Sequence, residues 1–227
     1  MDGANRGHRD DANATERADV QATYDYIADH FAQTREYAWP EVEEFVSKHA
    51  ESAPTALDLG CGNGRHAELL ADHADRVVGV DVSRGLLDTA RQRAADRGFD
   101  ADLVQADAAR VPLRDATIDL AVYVATLHHL PTREARVESL NELGRVLGPD
   151  GRGLVSAWST AHDNFDRERG FDTTVDWTLP GGETVERFYH IYSPDEFEAD
   201  VAASLLELVE FEISSGNCYA VVRGTKQ

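Results

Sequence analysis

The chain has 227 residues, 42% of them hydrophobic, with 42 acidic against 22 basic side chains and a net charge of −20. Such length and apolar content suit one folded domain with a sizeable core and exclude a disordered chain, and no apolar run approaches the roughly 20 residues of a membrane helix. The acidity argues against a broad basic surface for nucleic acid, because phosphate contacts are made by Lys and Arg.

Lys48 and Lys226 are the only lysines. A Lys-poor, Asp/Glu-rich balance is expected of a halophilic, archaeal-type cytoplasm, where salt at about 1 M screens charges beyond a few ångströms. Overall charge is then a weak guide to partners, and local arginines matter more. Cys61 and Cys218 are too few for a disulfide framework and lack metal-site spacing, so no metal site is expected.

Residues 1–19 are rich in Asp, Arg, Ala and Asn without an apolar core segment. They read as a flexible acidic leader, neither secretion signal nor anchor, which points to a cytoplasmic protein; residues 20–227 read as a single domain. Val20, Tyr24, Ile27 and Phe31 recur at helical spacing, and Pro40 suits the first turn of a second helix that turns Val42, Phe45 and Val46 inward.

From Ala56 the chain alternates. Ala56–Leu59, Val77–Val80, Leu103–Gln105, Leu120–Val124 and Leu154–Ala157 read as buried strands. Between them lie helical stretches, one holding Leu86, Leu87, Ala90 and Ala94 and stopping near Gly98, another holding Val137, Leu140, Leu143 and Leu147 and stopping at Gly148–Pro149. This alternation predicts a doubly wound, Rossmann-like α/β fold with a parallel sheet. Ser193-Pro194-Asp195-Glu196 is a capping box opening a helix. The runs Leu206–Ile213 and Cys218–Arg223 are joined so tightly that they must pair antiparallel.

Asp58-Leu59-Gly60-Cys61-Gly62-Asn63-Gly64 lies between a strand and a helix. Its glycines let the chain turn sharply and let a ligand lie against the backbone. The second strand ends in Asp81-Val82, where a carboxylate can bind a ribose diol, and the third in Asp107-Ala108, where one can accept an adenine amino group. A nicotinamide site would space its glycines G-x-G-x-x-G around a pyrophosphate. Here the spacing is G-x-G-x-G with Asp58 beside it, which suits a cationic ligand such as S-adenosylmethionine. Cys61 in the turn reads as a small packing residue.

From Ala56 to Ala157 the chain resembles class I S-adenosylmethionine-dependent methyltransferases, whose seven-stranded sheet ends in an antiparallel hairpin. A narrower likeness, to the tRNA wobble-uridine carboxymethyl methyltransferases, rests on Tyr24-Asp25-Tyr26-Ile27-Ala28, Gln33-Thr34-Arg35, Trp39-Pro40 and Leu127-His128-His129. It extends through Thr132–Val137, Ala157-Trp158, Val175–Pro180, Arg187–Tyr192 and Gly216–Val222. The basic insertion of fungal members is absent, since only Gly181 to Glu186 separate Pro180 from Arg187.

The resemblance implies methyl esterification of 5-carboxymethyluridine in tRNA, with a small zinc-binding activator subunit as partner. A carboxylate acceptor is already ionised at neutral pH and needs no general base. It needs a donor, for which His128 and Arg35 are the candidates, and a stacking platform, for which Trp158 is. Arg133, Arg136 and Arg187 are candidate RNA contacts. By family topology the strand holding Leu103 and Val104 is the sheet edge, where the activator is expected to dock. The rival functions are a small-molecule methyltransferase, acting on a carboxylic acid or a quinone precursor, and a non-catalytic subunit that has kept the fold.

Overall fold

The computed structural model describes residues 3–225, with side chains from Arg17 onward except Ser52. Helix α1 spans Gly3–Gln33 and α2 spans Pro40–His49. Most of the expected leader therefore falls on residues whose side chains lie outside the described set. Tyr24, Ile27 and Ala28 of α1 are buried, as are Val42, Phe45 and Val46 of α2.

The expected alternation follows as β1 (Thr55–Leu59), α3 (Arg65–Ala71), β2 (Arg76–Asp81), α4 (Arg84–Arg97), β3 (Asp102–Gln105), β4 (Ile118–Val124), α5 (Arg133–Val146) and β5 (Leu147–Trp158). Two of these helices are started by a capping side chain. The Ser83 hydroxyl accepts the Leu86 N–H at the head of α4, and the Thr132 hydroxyl accepts the Ala135 N–H at the head of α5. Gly98, with φ +74°, closes α4 in the left-handed region that glycine reaches without strain. Strand β5 begins seven residues before the apolar run Leu154–Ala157, because the chain pairs with β4 as soon as α5 ends.

Seven strands form one sheet in the order β3-β2-β1-β4-β5-β9-β8, where β8 is Leu206–Ser214 and β9 is Asn217–Gly224. The first five are parallel, and β9 runs antiparallel to both β5 and β8. Strand β3, carrying Leu103 and Val104, is one edge of the sheet. Strand order reverses between β1 and β4, which leaves a crevice at the carboxyl ends of those strands.

A second hairpin, β6 (Phe171–Thr178) with β7 (Thr184–Ile191), forms its own two-stranded sheet and is followed by α6 (Pro194–Ala202). Trp177, Leu179 and Val185 of this hairpin pack against Tyr24, Ile27, Ala28 and Leu86, so the hairpin and α1 are packed together above the crevice. The sequence reading had not assigned these strands. Among the described residues no helix is long and apolar enough to cross a membrane.

Candidate active site

The crevice holds a cavity of about 380 Å³ and, beside it, a smaller one of about 70 Å³. Gly60, Asp81 and Val82 line both. The glycine turn between β1 and α3 is held by its own backbone: the N–H groups of Gly60 and Cys61 both donate to the Val80 carbonyl, at 2.7 and 3.0 Å. Gly60, Gly62 and Gly64 all have positive φ. A Cβ on Gly62 would meet only Phe31 at 3.8 Å, so its backbone borders open space. The Cys61 thiol is buried, with its pKa pushed well up by burial and by the Asp81 carboxylate, as befits a packing residue.

Asp81 sits at the end of β2 and accepts the N–H groups of Gly62 and Ser83, each at 2.8 Å. Burial pushes its pKa up to about 6 despite those hydrogen bonds. Asp58 lies behind the glycine turn and does not line the cavity. Its pKa is pushed up to about 7 by burial and then by the Asp81 charge, and its Oδ2 has no partner among the described residues. Two crowded, desolvated carboxylates, one with an orphaned oxygen, are stabilised by a positive ligand. That fits the sulfonium and ammonium of S-adenosylmethionine and would repel a pyrophosphate.

At the smaller cavity, lined also by Ala106, Asp107 and Ala108, Asp107 accepts the Ala109 N–H at Oδ1 and pairs through Oδ2 with Arg17 of α1, 3.0 Å away. The acceptor expected for an adenine amino group is thus already shared with an arginine that the sequence reading did not select.

The larger cavity has an unusual charge for this chain. Arg35, Arg65 and Arg187 line it, and among the described residues Asp81 is the only carboxylate that does. None of the three guanidinium groups has a described carboxylate within 4.0 Å. Arg35 lies over the rings of Phe31 and Trp177, Arg65 over Trp39, and Arg187 over Trp177 and Tyr189. Arg187 is buried, and its Nε has no hydrogen-bond partner among the described residues. Burial and the neighbouring Arg35 charge lower the pKa of Arg65 to about 10. Asn63 donates to the carbonyls of Ala32 and Arg35, tying the end of α1 to the glycine turn.

His128 and His129 sit in a short turn after β4 and differ in role. The backbone N–H of Trp158 donates to Nδ1 of His128 at 2.9 Å. An amide N–H can only donate, so Nδ1 holds the lone pair and the neutral ring carries its proton on Nε2. Burial holds the ring pKa well below its ordinary value, and the His129 and Arg187 neighbours act in the same direction. His128 is therefore a neutral donor lining the cavity. Trp158 lines the same wall, edge-to-face with Phe165 and Tyr189.

The three arginines proposed as RNA contacts separate. Arg187 faces the cavity. Arg136 is 3% exposed; it donates to the Leu130 carbonyl, lies over the Tyr192 ring and has Glu196 and Asp200 at 3.8 and 4.0 Å. This corrects its assignment, because a guanidinium enclosed in that way offers no surface to RNA. Arg133 is half-exposed but donates to the same buried Asp200 at 2.7 Å, so it belongs to the same structural cluster. Arg65, Tyr24, Tyr189 and His162 line the cavity and had not been selected. Arg65 directly follows the glycine turn, a position from which it could have been anticipated.

Residues 57–155 match the methyltransferase domain model. Over 189 residues the chain is 32% identical to a protein of Encephalitozoon cuniculi named only as a methyltransferase, covering 81% of this chain and 84% of that one. The chain belongs to the methyltransferase family. It is also 38% identical over 144 residues to the mouse tRNA (carboxymethyluridine(34)-5-O)-methyltransferase ALKBH8, a match covering 63% of this chain but only 20% of that protein. Among solved structures, the 1,6-didemethyltoxoflavin-N1-methyltransferase of Burkholderia thailandensis superposes with a TM-score of 0.71 at 19% identity, covering 92% of this chain and 89% of that one. S-adenosylmethionine is accordingly the cofactor of this methyltransferase, and the two carboxylates and the open glycine turn fit it.

Proposed function

We propose that this methyltransferase esterifies the carboxylate of a 5-carboxymethyluridine at the wobble position of tRNA. The observation that carries the reading is the charge of the cavity: among the described residues, three guanidinium groups and one carboxylate line it, inside a chain of net charge −20. Unpaired guanidinium groups facing a cavity are compensated when an anion enters it, and an anionic acceptor supplies the missing partner.

When bound, S-adenosylmethionine supplies a methyl group on a positive sulfur; a C–O bond forms to a carboxylate oxygen as the S–C bond breaks, and no proton is transferred. The protein's task is then to bind, orient and dry the acceptor. Arg187 and the Nε2–H of His128 flank Tyr189 and can hold one carboxylate oxygen while the other faces the methyl group. Arg35, two residues past α1 and stacked over Phe31 and Trp177, adds a third donor at the cavity wall. Trp158 offers a ring face on which a flipped-out uracil can stack, worth roughly 1–3 kcal/mol.

The tRNA acceptor is favoured over a free carboxylic acid by the likeness to relatives named for carboxymethyluridine in tRNA, of which the mouse protein is five times as long as the region matched. A small zinc-binding activator subunit is proposed for the edge of β3, a four-residue strand whose Leu103 and Val104 are only partly covered.

The test is transfer of labelled methyl from S-adenosylmethionine to anticodon stem-loops with 5-carboxymethyluridine or plain uridine at the wobble position, beside a mixture of small carboxylic acids, with and without the activator. Label is expected as a base-labile ester on the first RNA alone. Label confined to the small acids would replace the tRNA reading by the metabolite one.

A further inference from the structure

His129 has both ring nitrogens engaged, by two different covers of the site. Nδ1 is 2.9 Å from the Phe188 carbonyl on β7, and Nε2 is 2.9 Å from the Tyr24 hydroxyl on α1. A carbonyl can only accept, so Nδ1 carries the proton, Nε2 holds the lone pair, and Tyr24 must donate to it. The ring is neutral: burial lowers its pKa to about 4. The His129 ring also stands edge-on to Tyr189, with centroids 4.4 Å apart, and the Arg187 guanidinium lies over that same Tyr189 ring.

We propose that His129 is a positioning residue for methyl transfer: it ties the Tyr24 hydroxyl of α1 to the Phe188 carbonyl of β7, packs edge-on against Tyr189, and so fixes the strand from which Arg187 and Tyr189 reach the acceptor cavity. The relay runs from the Phe188 carbonyl to His129 and from His129 to Tyr24, while Arg187 lies over the Tyr189 ring that His129 supports. It joins α1, the turn after β4 and β7 at one imidazole. The paired histidines thus divide the work, His128 presenting a proton to the cavity while His129 holds the wall in place. The kinetic part of the test rests on the proposed acceptor; the spectroscopic part does not.

In the whole chain labelled with ¹⁵N-histidine, two-bond ¹⁵N–¹H correlation spectra should show one ring as the Nδ1–H tautomer, unchanged between pH 5.5 and 8 and missing in His129→Gln. In kinetics, Tyr24→Phe and His129→Ala should each raise KM for the carboxymethyluridine stem-loop about tenfold, as small misplacements of a binding group do. The Kd of S-adenosylhomocysteine should stay within about twofold, since the relay lies on the acceptor side. The double variant should be no worse than either single one, and His129→Gln, which can still donate and accept, should fall between His129 and His129→Ala.

Multiplying single effects, or a parallel loss of S-adenosylhomocysteine affinity, would overturn the proposal. So would an Nε2–H tautomer at His129, which is read on the wild-type chain even where a variant fails to fold. If wild type labels no stem-loop, the acceptor reading fails, and the tautomer still decides the role of His129.

Discussion

The backbone N–H of Trp158 points at Nδ1 of His128, 2.9 Å away, so the last residue of β5 fixes the protonation pattern of a side chain that follows β4. The pairing makes His128 a donor from Nε2 and removes it as a general base. Replacing it by Ala should lower kcat by on the order of 10²-fold, the cost of deleting one preorganised donor. Because the ring pKa lies well below its ordinary value, His128 should add no acid limb near neutrality to the profile of kcat against pH. Rapid-quench turnover from pH 6 to 9 checks this; an inflection lost in His128→Gln would contradict it.

Cofactor affinity should instead follow pH. The raised pKa values of Asp58, about 7, and Asp81, about 6, leave part of the site protonated in the free protein near pH 6, and a cationic ligand favours the ionised form. S-adenosylmethionine should therefore bind more tightly as pH rises through 6 to 7.5, with protons released on binding. Calorimetry in buffers of different ionisation enthalpy measures the release. The sign for stability is opposite: a carboxyl group whose folded pKa is raised contributes stability below the unfolded value near 4, and that contribution is lost as pH rises through the folded value. Adding ligand should thus raise Tm more at pH 7.5 than at pH 5.

Two glycines of the turn predict contrasting variants. A Cβ on Gly60 would lie 2.2 Å from Oγ1 of Thr126, with further Thr126 atoms within 2.6 Å. Gly60→Ala combines that overlap with a left-handed φ and should cost roughly 3 kcal/mol in urea unfolding. Gly62→Ala has room and should cost about 1 kcal/mol from its φ alone, yet weaken S-adenosylhomocysteine binding at least tenfold by placing a methyl group where the ligand meets the backbone. Equal loss of stability in the two would refute this account of the turn.

The strand ends were legible because buried parallel strands read as short apolar runs that charge interrupts: Asp58 one residue before the end of β1, Asp81 at the end of β2 and Asp107 two residues past β3. The covers of the site were less so. Thr173–Thr178 alternates half-buried with exposed residues, a strand pattern, and Gly181-Gly182 marks the turn, but a two-stranded sheet with mixed polar and aromatic faces has no apolar run to announce it. The histidine pair could be noticed but not divided: the tautomers depend on a backbone amide 30 residues away and a carbonyl 59 residues away.

Arginine direction was the least legible feature, and it yields the sharpest contrast. Arg136 on α5 and Arg187 on β7 look alike as sequence, yet both are buried with opposite consequences. Arg136 faces Asp200, Glu196 and the Tyr192 ring, so Arg136→Gln should destabilise the fold by about 3 kcal/mol, the order expected when one partner of a buried ion cluster is removed. The surviving folded protein should keep its KM for the stem-loop. Arg187 lies over two aromatic rings with no carboxylate described within 4.0 Å, so its charge costs the unliganded fold and is compensated by the acceptor. Arg187→Gln should leave Tm unchanged or raise it, raise KM for the acceptor by at least tenfold and spare S-adenosylhomocysteine affinity, because function and stability pull against each other at a charge held for a ligand. Thermal melts beside acceptor titrations of both variants decide the matter; a fall in Tm for Arg187→Gln as large as that for Arg136→Gln would mean that the cavity arginine is structural.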